Sequence, residues 1–351
     1  MTLPRPKKYA WKNAVFAMAA VAALALGLLC TPVQAGPQDR AKKADSRASE
    51  EFSSRDFQAW MAELRDEARA TGISEETLDA TLLDIVPVKR VIELDRSQPE
   101  FTQTFREYLG QRVTEERVKR GRALLEKHRA LLQGIYEEYG VPPRYLIAFW
   151  GLETNFGDHR GGFRVIDALV TLAHDQRRAE FFRKQLLHAL RIIEQGHITP
   201  EKMMGSWAGA TGHMQFLPST FTGHAVDYTG NGRKDIWGSL PDAFASAANF
   251  LSSMGWQPGE TWGRKVRLPE NFNPELAALN REKTVNEWSR LGVRQADGKA
   301  LPQSDMKGSV ILPQGNEGPA FLVYHNFRVI MRWNHSVNYA ISVGHLADRI
   351  Q

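Results

Sequence analysis

The most informative stretch of the chain is Val141-Pro-Pro-Arg-Tyr-Leu-Ile-Ala-Phe-Trp-Gly-Leu-Glu-Thr-Asn-Phe-Gly157. Because proline is tolerated in the first turn of a helix, a helix is predicted to begin at the Pro142-Pro143 pair. On that helix Glu153 shares a face with Phe149 and Trp150, one turn back, and with Leu146, two turns back. The stretch therefore places one carboxylate on an apolar stripe.

A carboxylate in such a place loses part of its hydration, which favours the neutral form and is expected to raise the pKa of Glu153. An acid kept protonated near neutral pH is what glycosidic cleavage requires, because the departing sugar oxygen must receive a proton. The alternative is a glutamate at the edge of an ordinary amphipathic helix. Helical position alone favours that alternative, so the functional prediction depends on other segments of the chain.

A second informative stretch is Gly205-Ser-Trp-Ala-Gly-Ala-Thr-Gly-His-Met-Gln-Phe-Leu-Pro-Ser-Thr-Phe221. Its small residues, with Ser206, His213 and Gln215 between them, suit the floor of a groove where a ligand approaches the backbone closely. The alternative is a glycine-rich connector, and the pattern alone does not separate the two. Residues 204–219 contain no aspartate or glutamate, so Glu153 is the one acid that these motifs offer.

A candidate calcium loop follows at Asp227-Tyr-Thr-Gly-Asn-Gly-Arg-Lys-Asp235. Its oxygen-bearing side chains fall on positions 1, 3 and 5 of a calcium-binding loop, with Gly232 at the turn position 6. Position 12 is Gly238 rather than a bidentate glutamate, so another acid would have to substitute for it. The candidate metal set is Asp227, Thr229, Asn231, Arg233, Asp235 and Asp242. The alternative is a turn rich in Asp and Asn that holds no metal.

Other catalytic classes find little support in the sequence. The histidines are scattered without the spacing of metal ligands. Ser206 and Ser219 lack the Gly-x-Ser-x-Gly context of a serine hydrolase. The segments Lys265–Leu268 and Ser309–Leu312 look like short strands within a region rich in turns. Elsewhere the pattern is helical, including one long helix from about Thr114 to Tyr139 and a helical segment from about Phe321 to Ile350. The predicted class is α+β, predominantly helical.

The N-terminus indicates export. A basic region with Arg5 and Lys12 at its ends precedes an unbroken apolar run of 17 residues from Ala14 to Cys30, and Ala35 offers a cleavage point. The run is shorter than the roughly 20 residues that span a bilayer, although an uncleaved membrane anchor is the alternative. A lipid anchor on Cys30 is disfavoured because a leucine precedes it. We expect a signal peptide and a periplasmic protein.

Removal of this leader changes the overall charge and removes the single cysteine. The full chain has 45 basic and 40 acidic residues, and loss of the four basic leader residues leaves 41 basic residues against 40 acidic ones. No basic stripe remains, so a nucleic-acid partner is not expected. The mature chain can form neither a disulfide nor a thiolate metal site, so its stability must come from its core.

Taken together, the motifs resemble those of the lytic murein transglycosylase B family, in order and over essentially the whole mature chain. The resemblance is carried by Glu153–Gly157, Ser206–Ser219, the loop 227–235, Asp95-Arg-Ser-Gln-Pro-Glu100, Arg177-Arg-Ala-Glu-Phe-Phe182 and Arg332-Trp-Asn-His-Ser336. It implies a lysozyme-like core with an N-terminal α lobe and a small β lobe. It also implies a carbon–oxygen lyase that cleaves the β-1,4 bond between N-acetylmuramic acid and N-acetylglucosamine without water and leaves 1,6-anhydromuramic acid ends.

The family's site residues carry over by position. Glu153 is then the catalytic acid and base, and the expected substrate-binding residues are Ser206, Gln215, Asn334, Tyr339, Phe250, Arg177 and Arg178. The loop 227–235 corresponds to the family's EF-hand-like loop, so a structural calcium ion is expected, while the chemistry requires no cofactor. Expected partners are peptidoglycan glycan strands and other cell-wall enzymes, and the chain is expected to be a monomer.

The expected domain boundaries are 1–35 for the signal peptide, 36–52 for a linker, 53–140 for the helical α lobe, 141–256 for the lysozyme-like catalytic core, 257–318 for the small β lobe and 319–351 for the C-terminal helical part of the core. Three positions depart from the family: Thr211 replaces a frequent methionine, and Phe250 and Trp333 replace the tyrosine of some relatives. Two alternatives stay open, namely a hydrolysing muramidase on the same fold and a non-catalytic peptidoglycan-binding protein.

Overall fold

A computed structural model describes residues 54–97 and 103–351. The predicted leader, the linker and the end of the Asp95–Glu100 motif lie outside these residues. Helices fill the first part of the described chain: α1 Ser54–Ala70, α2 Glu75–Leu82, α3 Lys89–Ser97, α4 Phe105–Arg112, α5 Glu115–Lys127 and α6 Arg129–Tyr139. No helix among residues 54–97 and 103–351 has the length and apolar content needed to cross a bilayer.

Local capping explains where several of these helices begin. The side chain of Ser74 accepts a hydrogen bond from the Thr77 N–H at the start of α2. Thr104 and Glu107 form a reciprocal capping box at the start of α4. The prediction of one long helix from 114 to 139 was wrong, because His128 leaves helical geometry at φ −105° and ψ 17°. Its ring centroid lies 6.1 Å from that of Trp150 and 6.2 Å from that of Phe244 in the core.

The core is built around α7, Pro143–Thr154, whose side chains are almost all buried. Gly140 ends α6 in the left-handed region at φ +72°, and Pro143 then begins α7 as the sequence predicts. The C-terminal helix α14, Val337–Ile350, packs along α7, and both contact α5. The remaining helices of the core are α8 Val165–His174, α9 Ala179–Glu194, α10 Pro218–His224, α11 Leu240–Ser253 and α13 His325–Trp333.

A small antiparallel sheet stands between α11 and α13 in the sequence. Its strands are β3 Gly263–Arg267, β4 Lys283–Thr284, β5 Arg294–Gln295, β6 Lys307–Ile311 and β7 Ala320–Val323, in the order β4-β6-β7-β3-β5. The short helix α12, Val285–Arg290, contacts β4, and its Trp288 is buried in a second, smaller core cluster beneath the sheet. Two further short strands, β1 Phe163–Arg164 and β2 Met204–Gly205, pair with each other.

The structure is α+β and mostly helical, which confirms the predicted class. The predicted strands at 265–268 and 309–312 correspond to β3 and β6, within two residues at each end. The prediction of a helix from Phe321 was wrong at its start. Residues 320–323 form the central strand β7, and all four are buried, so the alternating pattern that marks a half-exposed strand is absent.

Gly344 of α14 allows the closest packing against the sheet-bearing region. A Cβ there would overlap the indole ring of Trp262, whose Nε1 donates to Asp348 Oδ2 at 2.9 Å. We expect Gly344→Ala to lower the free energy of unfolding by about 1–3 kcal/mol through overpacking. Gly110→Ala is the matched control, since Gly110 is also helical and has nothing within 4 Å of an added Cβ. It should raise the free energy of unfolding by about 0.5–1 kcal/mol.

Urea denaturation followed by circular dichroism measures both changes. Equal effects of the two substitutions would show that the contact between Gly344 and Trp262 does not limit packing.

Candidate active site

Glu153 lies in the last turn of α7 and is half-buried. Its Oε1 accepts a hydrogen bond from the indole Nε1 of Trp333 at 2.9 Å and another from the hydroxyl of Tyr339. Trp333 is the last residue of α13, and Tyr339 lies in the first turn of α14. Three helices from distant parts of the chain therefore converge on one carboxylate.

Tyr339 is completely buried behind Glu153. Burial, together with the negative charge of Glu153, raises the pKa of Tyr339 well above its ordinary value, so the phenol keeps its proton and remains a donor. Behind it, Tyr108 and Arg112 of α4 are buried, with the guanidinium of Arg112 over the Tyr108 ring at 5.1 Å. The inner side of the site thus contains two buried tyrosines and a buried cation.

The outer side of Glu153 is walled by aromatic rings around Trp333. Its ring centroid lies 4.4 Å from that of Phe149, 5.3 Å from that of Phe216 and 5.2 Å from that of Phe250. Phe149 lies one turn before Glu153 on α7, as the helical pattern predicts. Rings on several sides of the indole restrict its orientation.

The motif after Glu153 turns the chain back on itself. Asn155, Phe156 and Gly157 have φ angles of +50°, +61° and +90°, so three successive residues adopt left-handed backbone. Thr154 secures this turn, because its hydroxyl donates to the carbonyl of His213 at 2.9 Å and accepts from the Gly157 N–H at 3.0 Å. The first and second sequence motifs are therefore joined directly.

His213 connects the two motifs a second time. Its Nδ1 accepts a hydrogen bond from Trp150 Nε1 at 3.1 Å. Burial, with a smaller contribution from the nearby Arg160, lowers the pKa of His213 to about 4, so the imidazole is neutral near pH 7. A neutral ring whose Nδ1 accepts from Trp150 joins the two motifs, and Glu153 is the one carboxylic acid that these motifs contain.

The glycine-rich stretch forms a tight, self-bonded loop. Ser206 is buried, and its Oγ accepts from the Ala210 N–H at 3.1 Å. Gln215 has a φ of +47°, and its Nε2 donates to the carbonyls of Arg160 and Gly212. An added Cβ at Gly161 would overlap the carbonyl of Gly205. Within the stretch itself, an added Cβ at Gly205 would overlap the carbonyl of Ala210, so this glycine is required by a backbone contact within the protein.

Asn334 lies beside Trp333 and is buried. Its Oδ1 accepts from the Ser336 N–H at 3.0 Å, which leaves the amide NH₂ pointing away from that bond. The predicted groove residues Asn334, Tyr339 and Phe250 all belong to the shell around Glu153 and Trp333. Gln215 lies next to Phe216 of that shell.

Arg177 and Arg178 make their contacts elsewhere. Both guanidinium groups bind the buried carboxylate of Asp95, and Arg177 also donates to the Asp95 carbonyl at 2.6 Å. The three residues join the end of α3 to the start of α9. The expected role of the two arginines in substrate binding remains a prediction, since these hydrogen bonds lead to Asp95 and not to Glu153 or its aromatic shell.

The loop 227–235 is organised by its acidic side chains. Asp227 accepts N–H bonds from Asn231 at 3.1 Å and from Gly232 at 2.7 Å. Partial desolvation acts to raise the pKa of Asp227. The hydrogen bonds from the loop N–H groups outweigh this effect, so the pKa is lowered. The buried Asp242 accepts from the N–H groups of Tyr228, Thr229 and Asp235. Within residues 54–97 and 103–351, no cluster of three or more acidic, His or Cys side chains is poised around a metal position.

The bond from Trp333 to Glu153 is the feature of the site that sequence reasoning did not predict. Trp333 stands where some relatives have tyrosine, so this position lacks a hydroxyl. Its indole N–H nevertheless provides a hydrogen-bond donor to Glu153. The residue type could have indicated this hydrogen bond, because a buried or half-buried tryptophan usually has an acceptor for its N–H.

Comparisons with known proteins identify relatives of this chain. A family model described as a transglycosylase SLT domain matches residues 56–348. The membrane-bound lytic murein transglycosylase B of Escherichia coli (strain K12) is 30% identical over 244 residues, covering 68% of this chain. The match spans 65% of the length of that relative.

Two solved structures show the same architecture. SltB3 from Pseudomonas aeruginosa, in complex with NAG-anhNAM-pentapeptide, superposes with a TM-score of 0.81 at 44% identity, over 83% of this chain and 78% of that one. The Escherichia coli lytic transglycosylase Slt35, in complex with calcium, superposes with a TM-score of 0.71 at 26% identity, over 84% and 92%. These are lytic transglycosylases with a lysozyme-like fold, which confirms the fold that the motifs imply.

Proposed function

The chain belongs to the transglycosylase SLT domain family, and from that premise we propose that it is a lytic transglycosylase of bacterial peptidoglycan. The proposed reaction cleaves the β-1,4 bond between N-acetylmuramic acid and N-acetylglucosamine and forms a 1,6-anhydro end. The observation that carries the proposal is the half-buried carboxylate of Glu153, held by two donors in an aromatic shell. The relatives solved with NAG-NAM-pentapeptide and its anhydro form support the substrate class.

In the first proposed step Glu153 gives its proton to the departing N-acetylglucosamine oxygen as the C1–O4 bond breaks. The positive charge on the muramic acid C1 is stabilised by the sugar's own 2-acetamido oxygen. Asn334 is the better of the two predicted donors to hold that acetamido group, since the Gln215 NH₂ already donates to two backbone carbonyls. The aromatic shell keeps water away from the cation.

In the second proposed step the muramic acid 6-hydroxyl attacks C1 and closes the anhydro ring. The proton of this hydroxyl passes to Glu153, which returns to the acid form, and no water is consumed. A retaining or an inverting hydrolase would instead use a second carboxylate. The stretch 204–219 holds no acid, which favours the intramolecular route. The proposed chemistry needs no cofactor.

Glu153→Gln tests the assignment of the catalytic group. The amide still accepts from Trp333 and Tyr339 but cannot transfer a proton, so we expect turnover to fall by at least ~10²–10⁴-fold. Binding to insoluble peptidoglycan should remain close to wild type. Glu137→Gln is the matched control, since Glu137 is an exposed helical glutamate that contacts Gln133. It should change neither quantity.

Zymography on purified cell wall measures turnover, and co-sedimentation measures binding. Full activity of Glu153→Gln would remove it as the acid. A wild-type protein that binds but never cleaves would favour the non-catalytic alternative.

We also propose that the loop 227–235 binds a structural calcium ion. Asp227, Asn231 and Asp235 carry oxygens suited to this hard cation, and the related Slt35 was solved in complex with calcium. Asp242 already accepts three backbone N–H groups, so it shapes the loop and is the weakest candidate ligand. Thr229 and the Arg233 carbonyl would complete the set.

Millimolar calcium is therefore expected to raise the melting temperature, because a ligand that binds only the folded state stabilises it by RT ln(1 + [L]/Kd). Asp227→Asn should abolish the rise. Asp297→Asn is the matched control, since Asp297 also caps an exposed turn through the Lys299 N–H but lies outside the loop. Melting curves that coincide in calcium and in chelator would mean that the loop is only a turn.

We propose that the protein acts in the periplasm and begins near Gly36 after removal of residues 1–35. The support is the basic, apolar and small-residue order of the leader. The related transglycosylase B is described as membrane-bound, so an uncleaved leader is the competing arrangement. N-terminal sequencing of protein from its native envelope should return Gly36 or a close neighbour from the soluble fraction. Intact leader sequence held in the membrane fraction would contradict the proposal.

A further inference from the structure

Both described hydrogen bonds to Glu153 reach the same oxygen. Trp333 and Tyr339 donate to Oε1, and they do so from helices whose residues lie 180 and 186 positions away in the sequence. The two oxygens of a carboxylic acid are not equivalent once it is protonated, since one is the carbonyl acceptor and the other bears the hydrogen. An oxygen that accepts two strong donors is best suited to be the carbonyl.

The Trp333 side chain strengthens the assignment of Oε1 as the carbonyl oxygen. An indole N–H can only donate, whereas a tyrosine hydroxyl in its place could turn and accept from the acid. The indole cannot rotate freely, because Phe149, Phe216 and Phe250 pack around it at 4.4–5.3 Å between ring centroids. If Oε1 carried the proton, its O–H would face the fixed N–H of Trp333, which is also a donor and cannot accept a hydrogen bond.

The charged and titratable groups described near this carboxylate are Tyr339, Arg112, Tyr108 and His213. Tyr339 keeps its proton because burial and the charge of Glu153 raise its pKa. Behind Tyr339, Arg112 of α4 is a buried cation, and Tyr108 lies against it. On the side of the glycine-rich stretch, His213 is neutral near pH 7 and accepts from Trp150.

We propose that Trp333 is a positioning residue which, together with Tyr339, reserves Oε1 of Glu153 as an acceptor, so that Oε2 carries the proton that is transferred. The inference rests on the proposed function for the transfer itself. The hydrogen-bond polarity is a property of the resting protein and can be tested there.

A donor to a carboxylate stabilises its charged form and so lowers its pKa. Trp333→Phe keeps a ring in the aromatic shell but removes the donor, so the pKa of Glu153 should rise, by about one unit for a bond of typical strength to a charged acceptor. The reaction needs Glu153 protonated at its first step. The limb where kcat/KM falls with rising pH should therefore move upward by the same amount. Trp333→Tyr, which restores a donor, should return most of the shift.

The direct measurement is a ¹³C NMR titration of protein labelled at the glutamate carboxyl carbons, with the Glu153 signal identified by its absence in Glu153→Gln. Trp237→Phe is the matched control, because it removes an indole N–H that donates to Thr211 at 2.6 Å. It should leave the Glu153 midpoint unchanged. If Trp333→Phe does not fold, benzothienylalanine at position 333 keeps the shape of indole and replaces its N–H with sulfur.

An unchanged or lowered midpoint when the N–H is removed at position 333 would overturn the proposal, and so would an equal shift in Trp237→Phe. A purely packing role for Trp333 predicts a loss of stability without a shift in the midpoint. The titration needs no substrate. A shifted midpoint in a protein that cleaves no glycan would therefore contradict the proposed function while leaving the positioning role of Trp333 intact.

Discussion

The hydrogen bonds that meet on Oε1 of Glu153 are the constraint on which the arrangement of this protein depends. They require the end of α7, the end of α13 and the start of α14 to occupy one small volume, although 180 positions or more separate the first from the others. The long packing of α14 along α7 meets that requirement. Gly344 allows Trp262, which precedes β3, to lie directly against α14.

The surroundings of the carboxylate explain how one acid can serve twice. Burial favours the protonated form that the first proposed step requires, while two fixed donors favour the carboxylate that the second step uses. The aromatic shell strengthens both hydrogen bonds, because a half-buried site has a lower local dielectric than bulk water.

Much of this site could be predicted from the sequence, because its signals are local. Helical spacing placed Glu153 one turn after Phe149, and the proline pair marked the start of α7. The break at His128 could not be predicted, since it depends on contacts with Trp150 and Phe244 far along the chain. The strand at 320–323 was missed because a fully buried strand has no alternation. The pairing of Asp95 with Arg177 and Arg178 likewise depends on tertiary contacts that neither motif reveals alone.

In the proposed reaction Glu153 acts with the substrate's own 6-hydroxyl, and water takes no part. Digestion of purified peptidoglycan in H₂¹⁸O, followed by mass analysis of the released muropeptides, separates this route from hydrolysis. We expect products that carry no ¹⁸O, weigh one water less than hydrolysed muropeptides and resist borohydride reduction. Products with one ¹⁸O at a reducible end would contradict it, and would require a second carboxylate that activates water beside Glu153.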